Sequence, residues 1–288
     1  MPAHSLALAK INLYLHMTGR AENGYHYLDS LVVFTSLYDG IQINSSDKFH
    51  LNITGNDDLS ANCDEQDNLI YRAAHLLAQH LGIAPNVHIE LTKNIPLAGG
   101  LGGGSADAAA TLLLLKELWH IPNHDIVENV AALLGSDIVA CLHNKPVIMR
   151  ETGNMILPAP QLPPLSGLLI NPNVPCPTPD VYKAYANSKA AFSENILFPP
   201  HFASAASLCD FLNQHTHNDL TASAIKVAPP IKSVLDEMEK LPHVLLSRLS
   251  GSGATCFAIF STAEDAQESS LKMQTNHPDW WVKTISIH

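Results

Sequence analysis

Pro96-Leu97-Ala98-Gly99-Gly100-Leu101-Gly102-Gly103-Gly104-Ser105-Ala106-Asp107 runs directly into Ala108-Ala109-Ala110-Thr111-Leu112-Leu113-Leu114-Leu115. Five glycines stand before a strongly helix-forming segment, predicted to run from about Ser105 to Trp119 and to stop before Pro122. Without a Cβ, glycine lets successive N–H groups turn toward one point and lets a ligand come close. The helix behind adds orphan N–H donors and the positive end of its dipole. Such a junction suits an anion, above all a phosphate.

The commoner phosphate loops do not fit. A Walker A motif needs a lysine between Gly104 and Ser105, and there is none. From Gly100 and Gly102 the third glycine of a Rossmann fingerprint falls on Ser105. A protein kinase would also need His-Arg-Asp and Asp-Phe-Gly segments, which the chain lacks. A plain turn needs one or two glycines, so five argue for a bound ligand.

The surrounding composition is that of a folded enzyme-sized chain. In 288 residues, 46% are hydrophobic and 15% charged, enough for a sizeable core. A formal charge of -11 argues against nucleic acid as a partner. Cys63, Cys141, Cys176, Cys209 and Cys256 are scattered, as expected of reduced, cytoplasmic thiols. The sixteen histidines are dispersed without metal-ligand spacing. The start of the chain does not read as a signal peptide, and no stretch reads as a membrane span.

Outward from the loop, Val87 to Leu91 is predicted as the strand feeding it. Asn68 to Leu81 reads as a helix capped by Asp67 and closed by Gly82. Further back, Leu6 to Val33 reads as strand, turn, strand, with Lys10, Asn12 and Tyr14 on one polar face. Short strands are expected at 41–43 and 50–53, helices at 125–134 and just after Gly135. Pro158, Pro160, Pro163 and Pro164 mark a domain boundary. Beyond it come a strand at 168–170, helices near 208–215 and 231–240, a strand at 255–261, a helix from Ala263 and a strand near 281–287. The mixed order favours two α+β domains.

Three segments carry a wider pattern: Ala9-Lys10-Ile11-Asn12-Leu13 with Gly24-Tyr25-His26, the glycine loop, and Ser247-Arg248-Leu249-Ser250-Gly251-Ser252-Gly253-Ala254-Thr255. Together they resemble the GHMP kinase superfamily over nearly the whole chain. The spacing is most similar to the branch that phosphorylates the 2-hydroxyl of 4-diphosphocytidyl-2-C-methyl-D-erythritol, in non-mevalonate isoprenoid synthesis. The resemblance implies a two-domain α+β GHMP kinase fold. An N-terminal domain like domain 2 of ribosomal protein S5 would cover residues 1–157, and a ferredoxin-like domain residues 158–288.

It also implies ATP and Mg²⁺ as cofactors, a small-molecule substrate, and a monomer or homodimer touching neither nucleic acid nor membrane. ATP would lie over Pro96, Gly99, Gly100, Leu101, Gly102, Gly103, Gly104, Ser105 and Ala106, with Asn68 and Lys93 flanking it and the Ser105 hydroxyl on Mg²⁺. Asp137 matches the catalytic aspartate that takes the hydroxyl proton, and Lys10 the lysine that keeps it ionised. Tyr25, His26 and Tyr182 would hold the cytosine, while Asn12, Asp137, Gly251 and Ser252 would reach the rest of the substrate. Taken singly, Asp137 reads first as a helix cap and Lys10 as an exposed strand lysine; their joint presence beside the three glycine segments favours catalysis.

Two segments depart from the family pattern. Ile138-Val139-Ala140-Cys141 replaces proline and bulky aromatics after the aspartate, and Glu151-Thr152-Gly153-Asn154 replaces a Gly-x-Gly-Glu-like run. The first bears on how Asp137 packs, the second on ligand contacts. Two alternatives stand beside this reading. One is a homoserine- or mevalonate-type kinase, which Tyr25, His26 and Tyr182 disfavour because those substrates offer no base to stack. The other is a non-catalytic nucleotide binder, which the presence of both Lys10 and Asp137 disfavours.

Overall fold

A computed structural model describes residues 3–22, 24–55, 65–97 and 99–287. Cys63 and Ala98 lie outside the described residues. In chain order the strands and helices begin with β1 (Ala3–Asn12), β2 (His16–Arg20), β3 (His26–Ser45) and β4 (His50–Gly55). Then come α1 (Leu69–Leu81), β5 (Val87–Lys93), α2 (Gly103–Leu118), α3 (His124–Leu134) and α4 (Ser136–His143). β6 (Val147–Glu151), β7 (Met155–Pro158) and β8 (Leu165–Asn171) follow, then α5 (Thr178–Ser188), α6 (Ala205–His215), α7 (Thr221–Val227) and α8 (Pro230–Met238). β9 (Val244–Leu249), β10 (Cys256–Phe260), α9 (Ala263–Asn276) and β11 (Trp281–Ile287) close the chain.

The chain forms two compact units, each built from separate segments. The first comprises residues 1–10, 37–97 and 102–144. Within it β4 lies parallel to β5, and β5 antiparallel to the end of β3, Gly40 facing Thr92 and Ile43 facing Ile89. A parallel pair needs a crossover, and α1 lies within it. α1 to α4 pack on one another around Ala73, Leu77, Leu112, Leu115 and Val130, all buried. In place of the expected Asp67, Asn68 caps α1: its Oδ1 accepts from Ile70 N–H at 2.8 Å, while Asp67 ends a short 3-10 turn. Gly82, with φ +66°, closes the helix as expected.

The second unit comprises residues 11–36, 98–101 and 145–288. Its strands run β11-β8-β10-β9, every neighbouring pair antiparallel. Numbered along the chain from β8, that order is 4-1-3-2, with helices in the first and last connections. This is the ferredoxin-like arrangement that the family resemblance implied. β3 begins here, pairing with β2 and with the hairpin β6–β7. The core gathers Leu168, Ile170, Leu249, Phe260, Ile231 and Val234.

The structure corrects three further expectations. The second strand expected within 6–33 and the short strand expected at 41–43 are one 20-residue strand, β3. α2 starts at Gly103, two residues earlier than its helix-forming residues suggest. The polar face expected for β1 is covered on both sides: Asn12 and Tyr14 are buried. The Tyr14 hydroxyl donates to Asp29 Oδ2 at 2.9 Å, and burial together with that carboxylate drives its pKa above the usual phenol range.

Candidate active site

The first unit carries the pair Lys10 and Asp137. Lys10 sits near the end of β1 with a buried side chain. Asp137 stands in the first turn of α4, where a carboxylate complements the helix dipole. Lys10 Nζ lies 3.3 Å from Asp137 Oδ2, and the carboxylate is 41% exposed, so a second partner can reach it. The departing residues Ile138, Ala140 and Cys141 are buried in α4, which packs on α2, so Asp137 stands on an anchored helix.

The glycine loop shapes this pair directly. Gly102, with φ +66°, is the residue before α2 and makes no side-chain cap. A Cβ there would lie 2.7 Å from Lys10 Cγ and 2.9 Å from Cε, so the bare Cα is what admits the lysine stem. The first bond of α2 runs from Ala106 N–H to Gly102 O at 2.8 Å, leaving the N–H groups of Gly103, Gly104 and Ser105 ahead of it. The Ser105 side chain is half-buried on this first turn, and Ala106 is buried.

Lys93 has a different setting from the one its sequence position implied. Its ammonium group is buried, hydrogen-bonded to Asp39 and, at 2.7 Å, to Asp107 of α2. Asp39 Oδ1 also accepts from the N–H groups of Asn94 and Ile95, at 2.5 and 2.9 Å. Burial alone would lower the Lys93 pKa, but the two carboxylates outweigh it and raise it. Burial pushes the Asp107 carboxyl up to about 7 against the pull of Lys93, with Asp39 adding to the rise. A Cβ on Gly103 would lie 3.4 Å from Lys93 Nζ, which puts this triad directly under the start of α2. Asn68, the other expected nucleotide neighbour, spends its carboxamide oxygen on capping α1.

In the second unit, Gly99 to Leu101 are locked to the turn between β9 and β10. Thr255 N–H donates to Gly99 O at 3.1 Å and Ser250 Oγ to Gly100 O at 3.0 Å. At Gly100, φ +73°, a Cβ would fall 2.3 Å from Ser250 O, so only glycine fits. Leu101 is buried. Asn12 Nδ2 donates to Ser30 Oγ at 2.8 Å, and its Oδ1 lies 3.4 Å from where a Gly251 Cβ would stand. Ser252 Oγ is 2.8 Å from Thr178 Oγ1.

The aromatic residues form their own cluster in this unit. The His26 ring lies 5.7 Å from Tyr182 and 5.5 Å from Tyr185. Burial, with Arg20 adding, lowers the His26 pKa below the usual imidazole range. Tyr25 is 68% exposed. The departing segment 151–154 proves to be the turn of the β6–β7 hairpin, with Gly153 N–H on Arg150 O at 3.0 Å.

Lys10, Asp137 and Gly102 to Ala106 thus gather in one unit, and Asn12, Gly99 to Leu101, Gly251, Ser252, His26 and Tyr182 in the other. Sequence reasoning missed Asp39, Asp107, Tyr185 and Ser250. Asp107 directly follows the glycine loop, and the helical i, i+3 spacing from Tyr182 marks Tyr185; Asp39 carried no local signal.

Residues 68–145 match the GHMP kinases N terminal domain and residues 202–279 the GHMP kinases C terminal domain. The 4-diphosphocytidyl-2-C-methyl-D-erythritol kinase of Rhodospirillum rubrum is 42% identical, across 96% of this chain and 90% of its own. That of Paramagnetospirillum magneticum is 38% identical, across 98% and 97%. A crystal structure of 4-(cytidine 5'-diphospho)-2C-methyl-D-erythritol kinase matches with TM-score 0.78 at 28% identity, covering 98% of this chain and 99% of the other. A mevalonate kinase from L. major, at 11% identity and TM-score 0.69, shares the fold. The chain belongs to the GHMP kinases and, within them, to the 4-diphosphocytidyl-2-C-methyl-D-erythritol kinase family.

Proposed function

We propose that this kinase transfers the γ-phosphoryl group of ATP to the 2-hydroxyl of 4-diphosphocytidyl-2-C-methyl-D-erythritol. The observation that carries the mechanism is the Lys10–Asp137 pair, 3.3 Å apart, with Gly102 pressed on the lysine stem at the head of α2. The exposed face of Asp137 accepts the hydroxyl hydrogen and aims its oxygen at the phosphorus. Lys10 balances the aspartate charge and faces the charge that develops on the transferring group. The uncapped N–H groups at the start of α2 receive phosphate oxygens; Gly99 and Gly100, just before them in the chain, are further nucleotide contacts in this reading.

Mg²⁺ would offset phosphate charge. Among the described residues no cluster of three histidine, cysteine or carboxylate side chains could hold a metal. The residues present fit an ion carried mainly by the nucleotide phosphates, for which the Ser105 hydroxyl would supply a protein oxygen. Asn68 contributes its NH₂ beside the nucleotide. Lys93 acts from below, holding the start of α2. His26, neutral at pH 7, offers a hydrogen-bonding edge to cytosine, with Tyr25 and Tyr182 as stacking surfaces. Asn12, Gly251 and Ser252 serve the rest of the substrate.

We place the functional domains at 1–157 and 158–288, a division supported by family matches that fall on either side of it. A cytoplasmic setting is supported by four buried, free thiols, at Cys141, Cys176, Cys209 and Cys256. No helix among the described residues is long and apolar enough to cross a membrane. The net charge of -11 disfavours nucleic acid, and the chain would act as a monomer or homodimer. ADP release with ATP, Mg²⁺ and the cytidyl substrate tests the reading. Asp137→Asn should cut kcat by at least ~10²-fold with ATP affinity nearly intact; an equally active variant removes Asp137 from the mechanism.

A further inference from the structure

The turn between β9 and β10 is held from behind by one side chain that the mechanism above does not use. Asn218 lies between α6 and α7 and is buried. Its Nδ2 donates to Leu249 O at 2.9 Å and to Gly251 O at 2.8 Å, and its Oδ1 accepts from Leu220 N–H at 2.9 Å. Both amide hydrogens and the oxygen are therefore committed to backbone partners. Its neighbours bind β1's continuation: Leu15 N–H donates to His217 O at 3.0 Å, and Asp219 N–H to Leu15 O at 2.9 Å. One residue thus joins the strand end that carries Asn12 to the turn that carries Gly251 and Ser252.

Peptide planarity makes this more than a brace. In a trans peptide the N–H points opposite to the carbonyl of the preceding residue. Tying Leu249 O to Asn218 turns Ser250 N–H the other way, onto Thr255 O at 2.9 Å. Tying Gly251 O turns Ser252 N–H away in the same sense. Gly253 N–H is used on Ser250 O at 2.9 Å, but the N–H groups of Gly251 and Ser252 have no acceptor among the described residues. Both residues are buried. Buried donors without an acceptor call for one from a ligand.

We propose that Asn218 is a positioning residue for the acceptor substrate, fixing the Gly251–Ser252 peptide so that Ser252 N–H donates to a substrate oxygen. This rests on the function proposed above. Steady-state kinetics of the full chain, varying the cytidyl substrate and ATP separately, tests it. An inactive wild-type enzyme would overturn the reading of function; an active one puts Asn218 itself to the test.

With Asn218→Ala we expect KM for the cytidyl substrate to rise at least ~10-fold, and KM for ATP to stay within ~3-fold. Asn218→Asp keeps the size and the acceptor for Leu220, but sets oxygen against two carbonyls. Its substrate KM should exceed wild type at pH 8 and fall toward it on acidification, as a protonated carboxyl regains one donor. Equal rises in both KM values, or a lowered kcat with both KM values unchanged, would overturn the proposal. So would failure of both variants to fold, which would make Asn218 a folding residue only.

Discussion

Replacing Gly102 by alanine tests how the loop and the proposed catalytic pair depend on each other. The new Cβ would stand 2.7 Å from Lys10 Cγ and 2.9 Å from Cε. Carbon atoms rest at about 3.5–4.0 Å, so the stem must retreat by roughly 1 Å. Backbone strain adds to this, because alanine at φ +66° costs about 1–2 kcal/mol. The fold survives such a loss, but the ammonium group leaves its place 3.3 Å from Asp137. A displacement of ~1 Å at a reacting centre costs on the order of 10²-fold in rate. We therefore expect kcat to fall about 10²-fold while the melting temperature drops by only a few degrees. Gly104→Ala is the stability control, since its Cβ would meet only Leu69 Cδ1 at an ordinary 3.6 Å. Coupled ADP release and thermal melting read both quantities. A Gly102→Ala enzyme with wild-type kcat would refute the claim that this glycine sets the lysine.

The buried triad and the aromatic cluster give further tests. Lys93→Met should destabilise the chain by about 3–5 kcal/mol in urea unfolding, because it strands Asp39 and Asp107 without a counter-charge. The Asp107 carboxyl, raised from 3.8 to about 7, binds its proton more tightly folded than unfolded. Its contribution to stability therefore falls as pH rises through that window, and Asp107→Asn should flatten the urea midpoint across it. Because His26 titrates below its ordinary value, KM for the cytidyl substrate should stay level from pH 8 to about 6.5 and climb only on further acidification. A rise beginning near pH 7.5 would place another group in that role.

How much of this was legible in the sequence follows from how local each signal is. The glycine loop and α2 were legible because both the backbone freedom and the helix propensity lie in adjacent residues. The one slip, a start at Gly103, arose because glycines at an N-terminus need no propensity when tertiary packing holds them. α5 was missed because Pro177 and Pro179 read as loop, yet proline fits the first turn of a helix. β6 was missed because Arg150 and Glu151 break the apolar pattern; Arg150 is instead paired with buried Asp29 at 2.8 Å.

Within the candidate site, residues tied to a motif could be singled out from the sequence, and residues tied to a distant partner could not. Lys10 and Asp137 stood in recognisable segments. Lys93 stood in one too, but its buried partners, Asp39 54 residues back and Asp107 14 ahead, changed its meaning. Asn218 serves a turn 31 to 33 residues away, a link that periodicity does not reveal.

The central claim is a phosphoryl transfer to one hydroxyl of one cytidyl substrate. Phosphorus NMR of a reaction with ATP, Mg²⁺ and 4-diphosphocytidyl-2-C-methyl-D-erythritol measures it directly. A new phosphomonoester on the erythritol 2-oxygen should appear in step with ADP. Turnover of homoserine or mevalonate, with none of the cytidyl compound, would contradict the account.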